Sequence, residues 1–148
     1  MVAHVTARPT TVSSTLPGRG QGSVAAESGA SAALAGFPSE SGFTPLEFLD
    51  AALSGCLVLS VRTAARKRGW SERLKRVDVT VRHEKAPDLP SRVASFSCSF
   101  EIAGDFTAEE RATLIAEAHE LCTVGNTFAH GPVIRDVETA AAPAASAA

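Results

Sequence analysis

A chain of 148 residues, 45% of them hydrophobic, has room for one globular domain that buries about two thirds of its unfolded surface. Its formal charge of -2 gives no long-range pull toward nucleic acid or an anionic membrane, and Asp50 and Arg62 interrupt the one apolar run that would suggest a membrane helix. Cys56, Cys98 and Cys122 form neither a disulfide framework nor a zinc spacing, and no apolar core with a cleavage site marks a secretory signal, so a cytoplasmic protein without bound metal is expected.

In chain order, residues 1–16 are rich in Val and Thr and suggest one or two short strands around Pro9. Pro17 and Gly18 make a turn that carries Arg19, with Gly20 and Gly22 after it. Ser23 to Glu27, a turn at Ser28 and Gly29, and Ser31 to Ala35 read as a hairpin of small residues that only tertiary pairing could hold, because alanine is a poor strand former. A loop then leads into the clearest helix of the chain, from Thr44 to Gly69. Thr44 and Glu47 form a capping box, Pro45 fits the first turn, and Gly69 stops the helix after the basic run Arg66, Lys67 and Arg68. From Ala51 to Ser60 this helix is apolar or small on nearly every face, which predicts burial all round.

Beyond Gly69 the apolar period changes from 3.6 to 2. Val77, Val79 and Val81 mark one half-buried strand; Ala94, Phe96, Cys98, Phe100 and Ile102 mark a second, and the two are expected to pair. Thr107 and Glu110 repeat the capping box ahead of a helix from Ala108 to Leu121 or Cys122, with Leu114, Ala118 and Leu121 facing inward. Thr123 to Thr127 continue as a turn or short helical segment, Val133 to Val137 form a final strand, and residues 139–148 form a frayed, alanine-rich tail after one domain spanning 1–138. The order predicts an α+β fold, helices against a mostly antiparallel sheet. A wholly buried first helix needs more cover than one such sheet offers, and a dimer enclosing two copies of the helix would supply it.

Each cysteine has a bland reading as a small buried hydrophobe. Cys56 and Cys122 could also pair, since Ser54 and Gly55 beside the first permit close approach of another chain and the second ends a helix before a small, turn-forming run. Cys98 shares the face of Phe96 and Phe100 and reads as core. Phe37, Phe43, Phe48 and Phe128 could line an apolar pocket beside the two cysteines or fill the core. His119 reads as solvent-facing, and the basic cluster Arg62, Arg66, Lys67, Arg68 and Arg73 is too modest for a nucleic-acid surface.

The run Thr44-Pro45-x-Glu47-x-Leu49-x-Ala51-Ala52-Leu53-x-Gly55-Cys56, followed by Cys122-x-Val124-x-Asn126-Thr127, resembles the osmotically induced protein and organic hydroperoxide resistance superfamily, OsmC/Ohr. The resemblance implies an intertwined homodimer with two sites near the subunit interface, and reduction of organic hydroperoxides with Cys56 as peroxidatic thiolate and Cys122 as resolving thiol. It implies that Arg19 stabilises the thiolate and orients the peroxide, that no cofactor is bound, and that an external dithiol, thioredoxin-like or lipoyl-linked, recycles the protein. One departure stands out. The hydroperoxide-resistance branch has its acid immediately after the proline, whereas here Leu46 holds that place and Glu47 lies about 100° further round the helix. The alternative is a dimeric small-ligand-binding or structural protein that keeps the fold without efficient turnover.

Overall fold

The computed structural model describes residues 7–137; the strand expected around Val2 to Thr6 and the tail over 139–148 lie outside them. Three short strands, β1 (Val12–Thr15), β2 (Gly22–Ala26) and β3 (Ser31–Leu34), form an antiparallel meander in the order β1-β2-β3. Ser14 faces Val24 across β1 and β2, and Val24 faces Ala32 across β2 and β3. The small-residue hairpin is therefore real, held by backbone pairing with β1 as a third strand.

Helix α1 (Pro45–Lys67) begins where both halves of the capping box close: Glu47 N–H donates to Thr44 Oγ1 at 3.3 Å and Thr44 N–H to Glu47 Oε2 at 2.7 Å. It ends at Gly69, whose φ of +71° suits glycine, while Trp70 N–H reaches back to the Ala65 carbonyl at 2.8 Å. A 3₁₀ turn (Ser71–Arg73) leads to β4 (Leu74–Lys85), which pairs antiparallel with β5 (Val93–Gly104). The register sets Val77 against Ile102, Val79 against Phe100, Val81 against Cys98 and His83 against Phe96, so the alternating residues do share one face. Helix α2 (Ala108–Leu121) starts at the second capping box, and α3 (Thr123–His130) follows after a single residue, Cys122.

The core lies between α1, α2 and the β4–β5 hairpin. One cluster joins Val61, Ala64 and Ala65 of α1 to Ile102, Phe106, Leu114 and Ala118. A second joins Leu53 and Leu57 to Cys122, with Cys56, Val81, Phe96 and Cys98 packed against it. Arg111 fastens the far end of the hairpin by donating to the carbonyls of Ile102, Phe106 and Gly104. There the chain bends at Gly104, φ +145°, where a Cβ would lie 2.1 Å from the Arg73 carbonyl oxygen.

Three expectations need correction. In one chain α1 is buried on one face only: Leu53, Leu57, Ser60, Val61, Ala64 and Ala65 are covered, while Ala51, Ala52, Gly55 and Arg62 are exposed and Leu59 is 53% exposed. A two-stranded hairpin and α2 together cover about half of a helix, and the small residues opposite are left uncovered by the described residues. Second, Val133 to Val137 form no strand, because no strand edge among the described residues meets them; Val133, Ile134 and Val137 are exposed, Ile134 by 91%. Third, α1 is by length and mean hydropathy long enough to cross a membrane despite Asp50 and Arg62. Its packing against the hairpin and α2 is the arrangement of a core helix.

Candidate active site

Cys56 lies mid-helix on α1, half-buried, where the N-terminus of α3 abuts it. Cys122 sits between α2 and α3 and is fully buried. Its extended backbone, φ -73° and ψ 99°, breaks the helical run and makes it the cap of α3, its Sγ accepting Gly125 N–H at 3.3 Å. Position 125 packs closely on the site: a Cβ there would stand in van der Waals contact, 3.4 Å from Cys122 Sγ and 3.6 Å from Leu53. Cys56 packs against the cluster that holds Cys122, close enough for each thiol to shift the other.

Their surroundings push them in opposite directions. Burial alone would raise the Cys56 thiol, but the backbone N–H of Val124, the Cys122 thiol, the Ser60 hydroxyl and the backbone N–H of Thr123 outweigh it, and the net effect holds Cys56 below the ordinary thiol range. The amides are the unpaired donors of the first turn of α3, pointed at the sulfur as a helix N-terminus points at any anion. Burial raises Cys122; the Gly125 N–H works against this, and the proximity of Cys56 adds to it. One thiol is thus prepared to be an anion and the other to remain protonated.

Arg19 is placed elsewhere. It is exposed on the turn between β1 and β2, pairs with no group among the described residues, and is not among the groups that shift Cys56. Glu47 is spent on its cap. Of the four phenylalanines, only Phe128 packs against the cysteine cluster, stacked on Phe96 at 5.0 Å; Phe43 and Phe48 face each other at 5.3 Å, and Phe37 is exposed. His119 is exposed, as expected, and meets Phe100 edge-on at 5.5 Å.

Sequence reasoning missed Ser60 and the α3 amides. Ser60 could have been found from its spacing, one helical turn after Cys56 on the same face. It also missed the bond of 2.7 Å between His83 Nδ1 and Asp50 Oδ2, which ties the first half of α1 to the distal end of β4. Asn126 and Thr127 hold local structure, donating to the carbonyls of Glu120 and Thr123.

A model of the family of OsmC-like proteins matches residues 38–135, from the loop before α1 past the end of α3. The chain belongs to the OsmC-like family. Solved structures agree on the fold of this OsmC-like chain. An OsmC-like protein from Mycoplasma pneumoniae superposes with a TM-score of 0.72 at 15% identity, covering 82% of this chain and 87% of that one. An organic hydroperoxide resistance protein OsmC from Legionella pneumophila gives 0.64 at 22% identity, covering 80% and 88%. The organic hydroperoxide resistance protein OhrB of Bacillus subtilis gives 0.64 at 15% identity, covering 82% and 92%. No curated protein matches the chain. At these identities the likeness shows an OsmC-like α+β fold, and the chemistry has to be argued from the site.

Proposed function

We propose that this OsmC-like protein is a two-cysteine thiol peroxidase acting on organic hydroperoxides, working in the cytoplasm without a bound cofactor. The observation that carries the reading is the contact between two unlike thiols, Cys56 lowered by the α3 amides and Ser60, Cys122 raised by burial. The Cys56 thiolate attacks the terminal peroxide oxygen, the O–O bond breaks, and an alcohol leaves as Cys56 becomes a sulfenic acid. Cys122 attacks that sulfur, water leaves, and the disulfide forms before further oxidation. An external dithiol, thioredoxin-like or lipoyl-linked, then reduces it. The similar folds of the organic hydroperoxide resistance proteins from Legionella pneumophila and Bacillus subtilis favour this substrate class over a ligand merely held.

The working unit is a homodimer. Among the described residues nothing covers the open side of α1, where Val58, Leu59, Leu74 and Val77 line one cleft, and nothing pairs with Val133 to Val137. A second copy is the occupant that could cover both faces at once, by two-fold repetition of the same contact. Arg19 reaches the peroxide at Cys56 only in that assembly.

Consumption of cumene hydroperoxide under a dithiol tests the reading in wild type, Cys56→Ser and Cys122→Ser. Wild type should form one intramolecular disulfide per chain, and Cys56→Ser should lose on the order of 10³-fold or more in rate. Slow consumption with all thiols free across several hydroperoxides would move the function to the ligand-binding alternative.

A further inference from the structure

The peroxidase reading leaves one step without a route. Reduction by an external dithiol begins when a thiolate reaches one sulfur of the disulfide, yet in the folded chain Cys122 is fully buried and Cys56 half-buried. Helix α3 lies against Cys122 and is fastened to it. Gly125 N–H donates to Cys122 Sγ at 3.3 Å, and Asn126 N–H to the Cys122 carbonyl at 2.9 Å. The thiol thus stands at the start of α3 where Thr44 and Thr107 stand at the starts of α1 and α2. The amides of Thr123 and Val124 favour the Cys56 thiolate, so the remaining free donors of this first turn are also spent on sulfur.

Little else holds α3. Its eight residues are too few to keep a helix by their own backbone bonds, and none of them is fully buried. Val124 and Phe128 pack half-buried against the cysteine cluster, Phe128 stacks on Phe96 at 5.0 Å, and Asn126 Nδ2 donates to the Glu120 carbonyl at 3.1 Å. We infer that α3 is a redox-released lid, which the Cys56–Cys122 disulfide unfastens from Cys122 Sγ so that an external dithiol can reach the bond. The inference rests on the peroxidase reading for the disulfide itself. When Cys122 attacks the Cys56 sulfenic acid, the S–S bond forms, the S–O bond breaks, and the hydroxyl leaves with the Cys122 proton as water. Cys56 has by then given up the charge that two α3 amides favour, and Cys122 Sγ is drawn into a bond with Cys56 in place of the Gly125 N–H. The first turn loses its acceptors together and the short helix opens. Reduction returns the thiolate and the cap, and α3 closes, so the lid is open only while there is a disulfide to reduce.

Amide exchange read by mass spectrometry tests the lid in the full chain. Wild type is compared as the dithiol and after one equivalent of cumene hydroperoxide, with the disulfide mapped in the same samples and Cys56→Ser as the chain that cannot form it. In oxidised wild type the amides of Thr123–His130 should exchange about ten-fold faster or more, while those of α2 and of β4–β5 change less than about two-fold. Peroxide should leave exchange over α3 unchanged in Cys56→Ser. A second arm makes the bond without peroxide: diamide takes two electrons and two protons from the two thiols and joins them. A mapped Cys56–Cys122 bond with unchanged exchange over α3, or with exchange raised equally in α2, overturns the inference. If diamide forms the bond and peroxide does not, the peroxidase reading falls and the diamide sample alone decides whether the lid opens. No Cys56–Cys122 bond with either oxidant overturns both.

Discussion

The meander β1–β3 and the layer made by α1, α2 and the β4–β5 hairpin are built from opposite kinds of sequence. The layer has Leu53, Leu57, Val61, Ile102, Phe106 and Leu114 packed on one another. The meander is mostly Ser, Ala and Thr; Gly22 is its one buried residue, and Val12 is 60% exposed. The layer can hold itself together by removing apolar area from water, whereas the meander has its ladder of backbone bonds and little else within one chain. The difference teaches where the proposed second copy would bind: a sheet with so little core of its own lies beside an α1 face left uncovered by the described residues.

The largest expected effect belongs to the active site, which the layer holds without help from the meander: Cys56→Ser should abolish fast turnover while leaving the thermal unfolding transition nearly in place. The largest effect on folding should follow from Leu57→Ala, which empties a fully buried position and should lower stability by about 2–5 kcal/mol in urea unfolding. Val12→Ala, in the meander, should cost less than about 0.5 kcal/mol. Equal losses at the two positions would mean that the meander carries a core of its own. On the interface side, Leu59→Glu places a charge on the open face of α1 and should weaken the dimer about 100-fold by sedimentation, with faster amide exchange in β1–β3. Unchanged assembly would move the interface elsewhere on the molecule.

The site also predicts a pH profile, with a sign for each thiol. Cys56 is lowered in the folded chain, so its environment contributes stability above the ordinary thiol pKa of about 8.5, lost as pH falls through the lowered folded value. Cys122 is raised, so its contribution is present below that same ordinary value and is lost as pH rises through the raised folded one. The two oppose each other in stability but not in reactivity. Iodoacetamide should modify Cys56 with a midpoint below that of a free thiol, and Ser60→Ala should move the midpoint upward. Cys122 should stay unmodified until the protein unfolds.

How much of this was legible in the chain follows from the range of the interactions concerned. Both helix starts were, because a Thr and a Glu three residues apart satisfy each other locally, and the β4–β5 pairing was, because period-2 alternation survives wherever one face is buried. The contact of Cys56 with Cys122 could be named only through family likeness, since distant residues meet only through the fold. Which face of α1 a single chain buries was not legible, because composition records what a face can bury and not what is there to bury it. The same reason explains Val133 to Val137, whose pattern asks for a strand partner that the described residues do not provide. The helical turn at Thr123 was half visible; that its first amides serve a sulfur on another helix was not written in either segment.

The smallest effect offers the finest comparison, because the same capping box serves both helices but faces different surroundings. Thr44 opens α1 beside the meander, and Thr107 opens α2 inside the layer, where Glu110 also receives Arg73 at 2.5 Å. Thr44→Ala and Thr107→Ala each remove one accepted bond and should each lower stability by about 1 kcal/mol in the isolated fold. In the dimer the two should diverge. The loop before Thr44 is bonded to β3, with Ala35 N–H donating to the Phe43 carbonyl at 2.9 Å and Phe43 N–H to the Ala33 carbonyl at 3.1 Å. Loosening the start of α1 therefore also loosens the meander, and Thr44→Ala should raise amide exchange in β3 while Thr107→Ala leaves it alone. Identical exchange in the two variants would show that the meander is fixed by its own ladder and by the second copy, with no support from the helix it precedes.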